Sequence, residues 1–352
     1  MDNIINKSNK TENKKDKYEL IDIMKFICAI FIVGIHAGIM RDENSVFQWQ
    51  VLNVLFRIAV PFFFIASGFL FGKKYLKNKE KLKDNSKKQV VRLIIPFIFW
   101  SLVLLPYIVT NEIKFDGNIL LFIYRILRLN IFNGYHIWFI LALAIAICIE
   151  YIFLKKNKMK LAVVFSVILY IIALFANSYY FLIKGTPIQY FIDIIIKIFT
   201  MVRNGIFVGF PLFTVGILVA FYENKIYKIS NKKLLLALLF FTFSQMLETA
   251  FIMGKEYKDD HSIFISIVFV ATIILMLCIK NKNIKLKKIN STTLRNLSTG
   301  IYFMHIPVKW YLGLIIPNIN DWIMFLIMLA VTIFIDIILL KINNKYINMI
   351  IK

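Results

Sequence analysis

Three histidines, His36, His136 and His305, lie within or beside long apolar runs of the sequence. An imidazole there is costly unless it is paired or functional. It also titrates near neutrality, so each is a candidate general base. His36 ends an apolar run that holds Asp22 and Lys25 near its start. Lys25 and His36 are 11 residues apart, so on a helix they share a face, separated by about 16 Å along the axis. Asp22 lies one turn below Lys25 on nearly the same side. These two also read as interfacial groups that snorkel to water. His36, past the middle of the run, reads as a base or as a ring bonded to a backbone carbonyl.

Other polar residues interrupt apolar runs. Arg57 precedes Ser67-Gly68, a pair that permits close approach of a neighbouring helix or a ligand. Arg92 ends a Lys-rich segment and runs into Pro96. It is either a membrane anchor or a guanidinium for phosphate. His136 and Trp138 open another run, where aromatic residues often mark the membrane interface. Arg203 lies inside a later run, and Gly205 and Gly209 beside it suit helix packing. Thr299, Tyr302, His305 and Lys309 recur at helical spacing and form a polar stripe that should face a bundle interior. Together these residues predict a buried polar site suited to anionic or acyl chemistry.

The elements that must position them are membrane helices. Of the 352 residues, 59% are hydrophobic, above the range for soluble domains. Runs long enough to span occur at 20–40, 48–72, 91–110, 135–154, 160–180, 199–222, 234–253, 261–280, 298–316 and 321–342. Residues 117–131, with Arg125 and Arg128 on one side, predict an interfacial helix, and residues 187–198 a second one or an extension of the sixth span. With the N-terminus inside, alternate segments divide 31 basic residues from 7, which predicts ten spans and cytoplasmic ends. The expected organisation is a polar tail at 1–19, a transmembrane domain at 20–342 and a tail at 343–352, with the first helix uncleaved. The fold class is therefore all-α. The net charge of +23 is spread between apolar runs, so no nucleic-acid partner is expected. Cys28, Cys148 and Cys278 fall inside apolar runs and read as small buried hydrophobes; no metal site is expected. No inverted pair of broken helices points to a transporter, and no filter or regular arginine array to a channel.

Five motifs together resemble the acyltransferase-3 family of membrane proteins. Asp22, Lys25 and His36 reproduce its acidic, basic and histidine positions on the first helix. Residues 62–69, Phe-Phe-Phe-Ile-Ala-Ser-Gly-Phe, resemble its Phe-Phe-Phe-x-x-Ser-Gly-Phe signature. Residues 92–96 resemble its basic helix start running into proline, residues 136–139 its His-x-Trp-Phe, and residues 300–307 its Gly-Ile-Tyr-x-x-His-x-Pro. One departure is Lys25, where arginine is commoner; lysine keeps the charge and loses the bidentate fork.

The resemblance implies transfer of an acyl group, usually acetyl, from acyl-CoA to a hydroxyl of a cell-surface carbohydrate or lipid-linked glycan. His36 takes the catalytic place, as a base or a transient acyl carrier. Lys25, Arg92 and Ser67 are expected to contact the donor. Asp22, Arg57, His136, Trp138, Arg203, Tyr302 and His305 are expected to line the cavity, with His136 at its outer rim. Arg203, Tyr302 and His305 are candidates to stabilise an oxyanion. Acyl-CoA is a substrate, and no permanently bound cofactor is expected. The expected setting is a bacterial plasma membrane, with the bilayer and envelope-assembly proteins as partners. The alternative is a non-enzymatic module that moves a small polar solute or glycan.

Overall fold

A computed structural model describes residues 18–111, 117–128, 135–258, 260–284, 290–342 and 344–351. The Lys-rich tail up to Lys17, Lys114 and the side chains of Arg125 and Arg128 lie outside the described residues. Among the described residues the chain is helical, with no strand. The helices are α1 (Glu19–Ala37), α2 (Val46–Gln50), α3 (Ala59–Lys77), α4 (Leu82–Asn111), α5 (Ile119–Arg128), α6 (Trp138–Lys155), α7 (Met159–Phe175) and α8 (Pro187–Phe199). Then come α9 (Phe210–Phe221), α10 (Glu223–Lys228), α11 (Asn231–Ile252), α12 (Ser266–Lys280), α13 (Ser291–Ile315), α14 (Asp321–Ile342) and α15 (Lys345–Ile351).

Among the described residues, six helices are long and apolar enough to cross a membrane: α1, the continuous Val46–Lys77 segment, α4, α6, α11 and α14. Met159–Phe175, Gly205–Phe221 and Ser266–Lys280 are shorter apolar helices, and α13 carries the polar stripe. Leu236, Leu239, Phe240 and Phe243 of α11 are exposed. Lipid solvates such a face, whereas water would drive it to aggregate. This is a multi-pass membrane protein.

The expected runs fall on helices, with informative exceptions. The sixth run is interrupted. Helix α8 stops at Phe199, Thr200 adopts a φ of 64°, and Asn204 restarts the helix by accepting from the amides of Ile206 (2.9 Å) and Phe207 (3.2 Å). Arg203 therefore lies in irregular backbone, not inside a span. Residues 261–265 precede α12 and are not helical. Cys148 is exposed on α6, contrary to the expectation that all three cysteines are buried.

Glycines set the closest helix contacts. A Cβ on Gly68 would lie 2.1 Å from the Phe213 carbonyl oxygen, and one on Gly216 would lie 2.0 Å from that of Ile65. The Ser67-Gly68 pair thus serves the approach of α9 to α3. A Cβ on Gly205 would meet Ile145 at 2.5 Å, so this glycine seats its turn on α6.

Side-chain contacts sort the helix ends into two groups. At one end Glu223 accepts from Tyr18 (2.9 Å), Tyr227 (2.8 Å) and Lys73 (2.5 Å). At the other, Trp49 donates to the Thr249 carbonyl (2.9 Å) and Asn177 holds the amides of Ser262 and Ile263 (3.1 Å each). Gly68→Ala should force α3 and α9 apart and destabilise the protein by about 1–3 kcal/mol, the usual cost of overpacking. Gly313 has open space around it, so Gly313→Ala should leave the thermal unfolding midpoint in detergent unchanged.

Candidate active site

Helix α13 organises the site, and Pro307 is the reason. Proline has no N–H, so the Phe303 carbonyl four residues earlier loses its helical donor. His136 Nε2 lies 3.3 Å from that oxygen; since a carbonyl can only accept, Nε2 carries the proton. One turn away, Tyr302 donates its hydroxyl to the backbone carbonyl of His136. The turn that carries His136 is thus clamped twice onto α13. His305 Nδ1–H donates to the Ile301 carbonyl (3.0 Å).

The same helix holds the end of α1. Gly38, in the left-handed region at φ 92°, stops α1 just after His36. The His36 carbonyl falls in the last turn, where no helical N–H follows. Lys309 supplies the donor, with Nζ 2.6 Å away. Tyr302, His305 and Lys309 of the stripe therefore face inward, while Thr299 bonds back to the Arg295 carbonyl (3.2 Å). A Cβ on Gly300 would lie 2.2 Å from the Asp336 carboxylate, so this motif glycine makes room for a buried acid of α14.

The three histidines converge. Ring centroids are 5.0 Å apart for His36 and His305, 4.7 Å for His136 and His305, and 6.4 Å for His36 and His136. His305 lies between the other two, and His136 is buried where the two clamps hold it. His36 opens onto a cavity of about 500 Å³ that is also lined by Arg41, Arg57, His136, Trp138, Arg203, Asp260 and Tyr302.

Two irregular segments deliver the arginines. A π-helical turn at Val51–Leu55 leads into a 3₁₀ turn at Phe56–Ile58 that carries Arg57, and Thr200–Asn204 carries Arg203. Such departures are tolerated at membrane depth where they line a cavity. Arg57 donates to Asn53 (2.8 Å) and to Asp260 (3.1 Å). Arg203 lies 3.5 Å from the same Asp260 oxygen and 6.0 Å above the Trp138 ring. Burial alone would raise the Asp260 pKa; the two guanidiniums outweigh it and hold the carboxyl below the usual carboxylate range.

Several expected residues lie elsewhere. Asp22 is buried 3.9 Å from Arg295, and Lys25 lies close enough to both to feel their charges; neither lines the cavity. Ser67 is half-buried on α3, and Arg92 is exposed on α4. His305 supports His36 and His136 from behind the cavity wall. Asp260 and the capping role of Lys309 were not foreseen. Asp260 sits in a short mixed-charge loop with no telling spacing, and Lys309 was legible only as the top of a stripe.

A family described as an acyltransferase domain matches residues 18–341 of this sequence.

The chain belongs to that acyltransferase family.

Among curated proteins, this acyltransferase-family chain is similar to two amino-acid racemases of Enterococcus faecalis. One is 31% identical over 58% of this chain and 28% of the relative; the other is 27% identical over 92% and 46%. A serine/alanine racemase of Enterococcus gallinarum is 26% identical over 70% of this chain and 35% of the relative. The chain spans less than half the length of these relatives. No solved structure matches it.

His261 follows Asp260 in the loop outside α12. It is buried against Trp49 and Tyr257, with centroids 5.0 and 3.9 Å away. Burial, assisted by Arg57, pushes its pKa down to about 4. The unfolded chain then binds the extra proton first. Stability from this residue is full above the ordinary histidine pKa of about 6.5 and is lost as pH falls towards 4. The thermal midpoint of wild type should drop across that window. His261→Phe should flatten the drop; an unchanged slope would place the titration elsewhere.

Proposed function

We propose that this protein is a ten-span acyltransferase that moves an acyl group, usually acetyl, from acyl-CoA to a hydroxyl of a cell-surface carbohydrate or related envelope molecule. The reading is carried by one observation: His36 lines a cavity within a chain matched to the family from residue 18 to residue 341. The division of 31 basic residues from 7 and the two groups of helix ends support ten crossings with both ends cytoplasmic. On this reading residues 20–342 form the transmembrane domain, with tails at 1–19 and 343–352, in a bacterial plasma membrane beside envelope-assembly partners.

Acyl-CoA approaches from the Lys-rich side, where Arg92 is exposed and Lys25 and Ser67 lie near the donor's path. The acyl end then reaches the His36 level, about 16 Å further along α1. His36 accepts the proton of the acceptor hydroxyl as the oxygen attacks the thioester carbonyl. The tetrahedral intermediate collapses, the ester forms, and CoA leaves as the thiol after taking up that proton. The Tyr302 hydroxyl and the His305 Nδ1–H are already donated to carbonyls. Of the three groups expected to stabilise the oxyanion, Arg203 is the one whose charged end lines the cavity.

A second reading, a module that admits a small polar solute, draws on the names of the relatives, which are racemases of amino acids. Transfer by the wild type and by His36 variants separates the two. At matched membrane abundance, His36→Ala should lower acetyl transfer by at least about 10²–10⁴-fold. His36→Gln should not restore it, since an amide does not take up a proton near neutrality. His136→Ala should also be impaired, because its ring supports His305. Wild-type transfer by either His36 variant would remove His36 as the base; absence of transfer by the wild-type protein would sink the enzyme reading and promote the transport one. Reporter fusions after residues 85, 158, 228 and 288 should report cytoplasm, and those near 44, 184 and 257 the opposite face. Two misplaced loops would overturn ten spans.

A further inference from the structure

We infer that Trp100 of α4 is a positioning residue for the histidine group and that α15 braces it. The α15 backbone holds Trp100, Trp100 holds Phe303, and Phe303 holds His136. The inference goes beyond the transferase reading and, for its kinetic consequences, rests on it.

The first link joins α15 to α4. Asn344 starts α15 by accepting from the amides of Tyr346 (2.8 Å) and Ile347 (3.5 Å). The helix runs to Ile351, which is fully buried, and packs on α4, α13 and α14. Ile350 falls in its last turn, where a carbonyl has no helical donor. The Trp100 indole Nε1–H supplies one, at 2.9 Å. Such a carbonyl is costly to leave unmet in lipid. Helix α15 is therefore fastened to the bundle at its far end.

The second link joins α4 to α13. The Trp100 and Phe303 rings are stacked, 5° from parallel, with centroids 5.5 Å apart. Both are buried, so neither ring has free volume into which to turn. Phe303 is also the residue whose carbonyl Pro307 frees and His136 meets. At 3.3 Å that contact is already beyond the commonest N–H···O range of about 2.7–3.2 Å, so it tolerates little further lengthening. Ring and carbonyl belong to one residue, and whatever holds the ring holds the oxygen.

The third link runs ring on ring, from His136 to His305 and from His305 to His36. Trp100 stands apart from the residues that line the His36 cavity. It acts on the reaction through Phe303 and His136. Loosening it misplaces the groups that do the chemistry, which costs rate and leaves substrate affinity largely intact.

The test uses the full chain in nanodiscs and three variants of it. Trp100→Phe keeps an aromatic ring against Phe303 and removes the donor to Ile350. Deletion of residues 344–352 removes α15. Tyr346→Ala changes an exposed side chain of α15 and is the control. Hydrogen–deuterium exchange is read first, because it needs no substrate. Peptides covering 135–139 and 300–307 should exchange about tenfold or more faster in the first two variants. Peptides of α11, and all peptides of Tyr346→Ala, should match the wild type. In acetyl transfer, kcat of Trp100→Phe should fall about tenfold or more, with KM within about twofold. Combining Trp100→Phe with the deletion should be no worse than the deletion alone, since both cut one chain of contacts. Should the deletion fail to reach the membrane, Trp100→Phe decides alone. Unchanged exchange at 135–139 in Trp100→Phe overturns the brace. A raised KM at unchanged kcat does so too, as do losses that multiply in the combined variant. If exchange responds as expected and the wild type shows no acyl transfer, the transferase reading fails and the brace stands.

Discussion

Pro307 leaves the Phe303 carbonyl without a helical donor, and much of the site follows from that vacancy. In a lipid environment an unmet carbonyl costs several kcal/mol. His136 meets it from another helix. Once His136 is seated, its carbonyl receives Tyr302 and its ring packs on His305. The end of α1 repeats the device. Gly38 ends the helix, and Lys309 takes the carbonyl that the termination exposes. Two separate stretches of chain are thus bound to α13 by side chains acting on backbone oxygens.

This arrangement explains why the motif residues differ in character. Gly300 is there for what it lacks, leaving room for Asp336. Tyr302 and Lys309 position other elements and do not face the reaction with their donors. His36 stands with its ring at the cavity and its carbonyl anchored. An imidazole fixed through its own backbone can change protonation without losing its place, which is what a general base requires.

The charged wall has a different origin. Guanidiniums inside a regular apolar helix would point into lipid or a tight interface. Here Arg57 follows a π-helical turn and Arg203 sits in a break between helices, so both reach a shared acid across a chain separation of up to 203 residues. Asn177 steadies the loop around Asp260 from a third element. Lys25, Asp22 and Arg295 form a separate group at the opposite end of α1.

The helical membrane character, the approximate runs and the identity of His36 as the residue to watch were all determined by the sequence. Apolar run length, the positions of lysine and the order of five motifs are local properties, and local spacing reports them faithfully. The small residues of the Ser67-Gly68 motif were also legible, though which neighbour they admit was not. What only the tertiary structure decided were the pairings. His136 is buried against α13 because Phe303 needed a donor. Asp260 became the partner of two arginines, and Arg203 left its expected helix because Asn204 caps the next one. Lys25, Ser67 and Arg92 fell outside the cavity that His36 lines. These outcomes depend on groups 167, 203 or 273 residues apart. Each satisfies a buried polar atom, and which partner satisfies it is settled by how the helices pack, not by spacing along the chain.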